Sequence, residues 1–188
     1  MNNLILLGIQ GSGKGTQAKI LVEKYGFKIF ETGGELRSIA KTDTELGKRI
    51  KSIIESGNLV DSETIMDLVE NFLNENKESN IIFDGIPRNI DQYNAFTKLE
   101  EKLQLKTRVV NFDLSDEKAL ARLLKRAEIE NRSDDTPEVI SKRIEIFHTQ
   151  TKPLLSNFAK SHEVYHVNAD QDIEAIHLEL VSKLKLND

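Results

Sequence analysis

The run Gly8-Ile9-Gln10-Gly11-Ser12-Gly13-Lys14-Gly15-Thr16 sets four glycines, a lysine and two hydroxyls directly behind the apolar segment Leu4-Ile5-Leu6-Leu7. A strand, a glycine turn and then a helix let backbone N–H groups wrap a phosphate chain, because no side chains intervene and the helix N-terminus adds its positive dipole end. Gly11, Ser12, Gly13, Lys14, Gly15 and Thr16 are therefore the expected phosphate cradle of a nucleotide site. Lys14 can reach the β- and γ-phosphates, and Thr16 can place its hydroxyl beside a magnesium ion bridging them. The pattern has one departure: Gly15 stands where the usual Ser or Thr belongs, and the hydroxyl comes one residue later.

A second group is Asp84-Gly85-Ile86-Pro87-Arg88, immediately after Ile81-Ile82-Phe83. A carboxylate at the C-terminal end of a parallel strand faces the edge where such sheets take ligands, so Asp84 is a second candidate for magnesium, held through water. Arginines make the third group. Arg122 and Arg126, four apart, share a helix face. Arg132 follows in a charged stretch, and Arg143 borders the apolar stripe of Ile140, Ile144 and Phe147, where a guanidinium needs an anion. Such forks match phosphate oxygens and offset charge developed in phosphoryl transfer. Asp134 and Asp135 are expected as solvated acids or as partners of these arginines. His148, His162, His166 and His177 have neither metal-ligand spacing nor a neighbouring nucleophile and are expected to be structural.

Placing these residues together requires an α/β fold. Short apolar runs at Leu4 to Leu7, Lys28 to Phe30, Ile81 to Phe83, Val109 to Leu114 and Val164 to Val167 alternate with helical patterns, the signature of a parallel sheet covered on both faces. Gly26 should end the first helix, Ser115 should cap a helix from about Asp116 to Glu130, and Pro137 suits a first helical turn. The stretch Thr32 to Asp61 reads as an inserted helical lobe punctuated by Gly33, Gly34, Gly47 and Gly57, and Leu180 to Asp188 as a fraying helix. With 188 residues, one core burying roughly 70% of the unfolded surface is expected. The composition is 38% hydrophobic and 30% charged, with no apolar run near the roughly 20 residues of a membrane span. A net charge of −5 opposes nucleic-acid binding. No secretory leader is read at the N-terminus, and the chain has no cysteine, which excludes disulfides and thiolate zinc and is compatible with the cytoplasm.

Together these residues resemble the nucleoside monophosphate kinases and, among them, the adenylate kinases. The family loop reads Gly-x-Pro-Gly-x-Gly-Lys-Gly-Thr, which accounts for Gly15 ahead of Thr16; Gln10 replaces the proline. Thr32-Gly33-Gly34-Glu35-Leu36-Arg37 resembles the family's Thr-Gly-Asp-x-Leu-Arg, with Gly34 in place of the aspartate. The resemblance implies that Thr32 and Arg37 contact the acceptor monophosphate, with Glu35 or Asp84 as the candidates to cover for the missing carboxylate. It also implies that Asn58, Leu59 and Val60 line the acceptor base and that Gly85, Ile86, Pro87, Arg88 and Gln92 form the Asp-Gly-Phe-Pro-Arg signature with its base-reading glutamine. Arg126 and Arg132 would close over the transferring phosphate, with Lys14, Arg88 and Arg143 as the other catalytic cations. Arg122 and the backbone near Gln171 would meet the ATP donor.

The expectation is a single kinase domain over 1–188, a three-layer P-loop fold on a five-stranded parallel sheet, an inserted monophosphate-binding lobe over 31–60 and a short lid over 126–136 without structural zinc. ATP, AMP and ADP are the expected partners, Mg²⁺ the cofactor, and a cytoplasmic monomer without membrane or nucleic-acid partners the expected state. Gln92 and Thr32 favour AMP, since the uridylate and cytidylate kinases tend to have Asn and Ala there. The alternatives are a UMP/CMP kinase, a nucleotide switch and a scaffold that binds without transfer. Guanine switches carry Asn-Lys-x-Asp, whereas Asn76-Lys77-Glu78-Ser79 lacks the aspartate.

Overall fold

The structure is a computed structural model that describes residues 3–130 and 136–186. Its centre is a five-stranded parallel sheet in the order β2-β3-β1-β4-β5, formed by β1 (Asn3–Gly8), β2 (Lys28–Glu31), β3 (Ile81–Asp84), β4 (Thr107–Asp113) and β5 (Val164–Asn168). The helices are α1 (Lys14–Tyr25), α2 (Thr32–Ala40), α3 (Glu45–Glu55), α4 (Ser62–Glu75), α5 (Ile90–Leu103), α6 (Asp116–Glu130), α7 (Pro137–Ile146), α8 (Leu154–Phe158) and α9 (Ile173–Leu184), with a π-turn at Phe147–Thr151.

Strand alternation explains why the strands read as unbroken apolar runs. Ile5 and Leu7 of β1, Ile81 and Phe83 of β3 and Val109 of β4 join one cluster, which takes in Leu36 and Ile50 of α2 and α3, and Val69, Phe96 and Phe158 of α4, α5 and α8. Leu4, Leu6, Ile82, Val110 and Phe112 point the other way, onto Ala18 and Leu21 of α1 and Ile176 and Leu180 of α9. The single core expected from length is thus two clusters, one on each face of the sheet, because a parallel sheet buries both faces.

Several local signals hold. Gly26 caps α1 at φ 69°, Pro137 opens α7, and the Ser115 hydroxyl accepts from the Lys118 N–H. Others shift. β4 begins at Thr107, paired with Asn3 of β1, and Leu114 leaves the sheet to pack against the second cluster. Gly47 does not punctuate the chain: it lies inside α3, where a Cβ would stand 2.4 Å from the Thr42 carbonyl oxygen, so it permits a close backbone crossing. The last helix starts at Ile173 and ends at Leu184 against a left-handed Lys185, rather than fraying from Leu180. No helix among the described residues is long and apolar enough to cross a membrane.

Candidate active site

β3 and β4 flank β1, so the chain moves to opposite sides of the sheet and opens a crevice at the C-terminal strand ends. The phosphate loop leaves β1 there, and Leu6 of β1 is in register with Asp84 at the end of β3. This pairing sets the loop beside the carboxylate. A cavity of about 990 Å³ runs through the crevice, and Lys14, Asp84, Arg88, Arg126 and Arg143 are among the residues that line it.

Within the loop, Gly8, Gly11 and Gly13 all adopt positive φ, which frees the turn to present its amides. Partly buried Lys14 folds back on the loop, its Nζ donating to the carbonyl oxygens of Gly8 at 2.7 Å and Ile9 at 3.0 Å and to Ser12 Oγ at 3.3 Å. Burial pulls its ammonium down from 10.5 to about 8; the Asp84 carboxylate works against that shift, while Arg88 and Arg126 add to it. The Asp84 carboxyl is pushed up by its own burial and by Glu31, with Lys14 and Arg88 opposing. Its Oδ2 lies 3.5 Å from where a Gly15 side chain would begin, so loop and carboxylate face each other across clear space. Among the described residues no three His, Cys, Asp or Glu side chains form a metal cage. One buried carboxylate facing a phosphate cradle is a donor set that suits a hydrated magnesium ion arriving on a nucleotide.

Arg88 is held by its own turn. Its Nε donates to the Gly85 carbonyl at 2.8 Å, its N–H donates to Gln92 Oε1 at 2.8 Å, and its carbonyl accepts from Thr151 Oγ1 at 2.7 Å. Burial and the neighbouring Arg143 charge keep the Arg88 guanidinium below the ordinary arginine value. Two partly buried arginines within each other's field describe a seat for an anion. The Gln92 amide also donates to the Val60 carbonyl at 3.3 Å and is 3% exposed, so in this state both its ends are engaged.

The expected residues divide between the two ends of the cleft. Gly11, Gly13, Gly15, Thr16, Arg122, Arg126 and Gln171 line it on the phosphate-loop side, where Arg122 donates to the Ala169 carbonyl at 3.1 Å. Gln17 ties this end together, its Nε2 donating to the Ile173 carbonyl at 2.8 Å. Thr32, Arg37, Asn58, Leu59, Val60, Gly85, Pro87 and Gln92 line the other side. Thr32 Oγ1 is buried there without a hydrogen-bond partner, an orphan that a ligand can satisfy. Ser12 and Ile86 are instead fully buried supports beneath the lining. Arg132, Asp134 and Asp135 lie outside the described residues. The histidines stay outside the cleft: His148 bonds Asp116, His162 bonds Glu100, His166 bonds Asp113, and His177 is buried on α9. Sequence reasoning missed Glu31 and Thr151, both of which line the cleft.

Comparison with known proteins bears on this geometry. Residues 6–163 match the family model described as adenylate kinase. The chain is similar to an adenylate kinase of Phocaeicola vulgatus, 37% identical over 187 residues, covering 98% of this chain and 99% of that one. It is similar also to adenylate kinase 1 of a Nostoc species, 42% identical over 190 residues, covering 98% and 99%. A third relative, the adenylate kinase of Parabacteroides distasonis, is 42% identical over 156 residues, covering 82% of each chain. Likeness that runs nearly end to end takes in both sides of the cleft, and the chain belongs to the adenylate kinase family of phosphotransferases.

Proposed function

We infer that this protein transfers the γ-phosphoryl group of ATP to AMP, reversibly, giving two ADP. The observation that carries this reading is the single cleft with a different lining at each end: the phosphate loop and the Gln171–Ile173 segment on one side, Thr32, Arg37, Val60 and Gln92 on the other, and the arginines between. Its volume of about 990 Å³ is at the top of the range of about 300–1,000 Å³ usual for small-molecule sites, as two nucleotides require.

No protein nucleophile is needed. An AMP phosphate oxygen attacks the γ-phosphorus in line as the bond to the β–γ bridging oxygen breaks, and ADP leaves. Lys14 binds the donor phosphates; Arg88 and Arg143 hold the acceptor phosphate; Arg126 and Arg132 cover the group in transit. The magnesium ion that accompanies ATP neutralises charge on the β- and γ-phosphates, and Asp84 and Thr16 would hold it through water. We take 31–60 as the acceptor lobe and 126–136 as the lid, both closing to exclude water that would otherwise receive the phosphoryl group. Gln92 and Thr32 make AMP the acceptor. A cytoplasmic setting, with which a chain without cysteine is compatible, and the monomer that the family resemblance implies complete the reading.

The test is ADP formation from Mg-ATP with AMP, UMP and CMP supplied separately. AMP is expected to be the fastest acceptor. Faster turnover of UMP or CMP overturns the base assignment, and no ADP from any of the three overturns phosphoryl transfer.

A further inference from the structure

The end of β2 carries a carboxylate that the chemistry above does not use. Glu31 is in register with Asp84 on the adjacent strand, lines the cleft, and accepts from Arg37 Nη2 at 3.0 Å. Both members of this ion pair lie over glycines in the first turn of α2. A Cβ on Gly33 would stand 3.0 Å from Arg37 Nη1, and one on Gly34 would stand 3.4 Å from Glu31 Oε2 and Cδ. Consecutive glycines weaken a helix; here they form the bed on which the pair rests. The carboxylate above Gly34 is therefore Glu31 from the preceding strand, where the sequence had pointed to Glu35 or Asp84. Its charge also reaches Asp84 and Arg88, so it acts within the field of the acceptor seat.

We propose that Glu31 is a positioning residue that occupies Arg37 in place of the acceptor's phosphate and yields the guanidinium when the monophosphate arrives. This rests on the reading of Arg37 as an acceptor contact. A guanidinium fork fits carboxylate and phosphate alike, and the phosphate brings the greater charge. The Glu31 side chain is 44% exposed, so on release it returns to water instead of being left as an unpaired buried charge. Glu31 thus keeps Arg37 over Gly33 until the monophosphate arrives, and the exchange lowers the affinity for AMP.

Titration calorimetry with AMP alone, and separately with ATP alone, tests the exchange. Glu31→Gln keeps the length and an acceptor oxygen but removes the charge, and is expected to lower the AMP Kd about two- to fivefold while leaving the ATP Kd within about twofold. In an Arg37→Met background the same substitution is expected to leave the AMP Kd where Arg37→Met alone put it. An unchanged or raised AMP Kd in Glu31→Gln overturns the proposal. So does an equal gain for ATP, or a gain that persists without Arg37, since either assigns the effect to the general field of the cleft. Failure of the wild-type protein to bind AMP while binding ATP would instead overturn the acceptor reading itself, and this proposal with it.

Discussion

Gln92 Oε1 accepts a hydrogen bond from the Arg88 main-chain N–H at 2.8 Å, while the other end of the same amide donates to Val60. One side chain therefore joins the turn after β3 to the segment after α3. Replacing it with leucine leaves a partly buried N–H without a partner, at a cost of about 1–3 kcal/mol, and deletes the amide expected to read adenine. Gln92→Leu is expected to lower Tm by about 2–12 °C and to raise the KM for AMP more than that for ATP, checked by thermal melts and steady-state kinetics.

Lys14 supplies a proton-linked prediction. Its ammonium titrates at about 8 in the free protein, and contact with phosphate favours the charged form. ATP binding above that pH therefore takes up a proton, and affinity falls as pH rises through about 8. Calorimetry at about pH 8.5 in buffers of different ionisation enthalpy should show this uptake, and Lys14→Met should abolish it. Without ligand the sign concerns stability: the unfolded chain binds the extra proton between about 8 and 10.5, so this group makes the fold more stable as pH rises across that window.

Arg88 and Arg143 lie within each other's field, and an anion between them relieves the opposition of like charges. Arg143→Leu is expected to reduce kcat by about 10²-fold or more and to raise the KM for AMP more than that for ATP, checked by steady-state kinetics with each nucleotide varied in turn. An unchanged kcat would count against a catalytic role for Arg143.

Gly85 tests the Arg88 turn from the backbone. It has φ +84°, and a Cβ would meet Arg88 Nη2 at 2.7 Å. The guanidinium can swing away, so Gly85→Ala should fold, but its arginine would no longer be held at the Gly85 carbonyl. A KM for AMP raised about tenfold or more, with the KM for ATP little changed, is the expected kinetic result.

The residues most readable in the sequence were those whose neighbours in the chain are also their structural context. Gly8 to Thr16 sits between its own strand and helix, and Asp84 ends an apolar run, so local pattern sufficed for both. Glu31 was open to the same reasoning, as an acid closing a parallel strand, but the apolar run in the sequence ends at Phe30, which left Glu31 outside the strand it closes. Thr151 carried no signal: it reaches the Arg88 carbonyl only because α7 widens into a π-turn, which no periodicity announces. Gly47 misled for a related reason, since a glycine required by a crossing backbone looks like one required by a turn. The two-sided core followed from strands apolar at consecutive positions, and only the count of clusters needed the sheet order.

Gln17, on the helix that carries the phosphate loop, bonds to the Ile173 carbonyl at the start of the final helix. The phosphate-loop end of the cleft is consequently assembled from α1 and α9 together. Because α9 also packs through Ile176 and Leu180 on Leu4 and Leu6 of β1 and on Ala18 and Leu21 of α1, any loosening of α9 would reach the strand and helix that hold the phosphate loop.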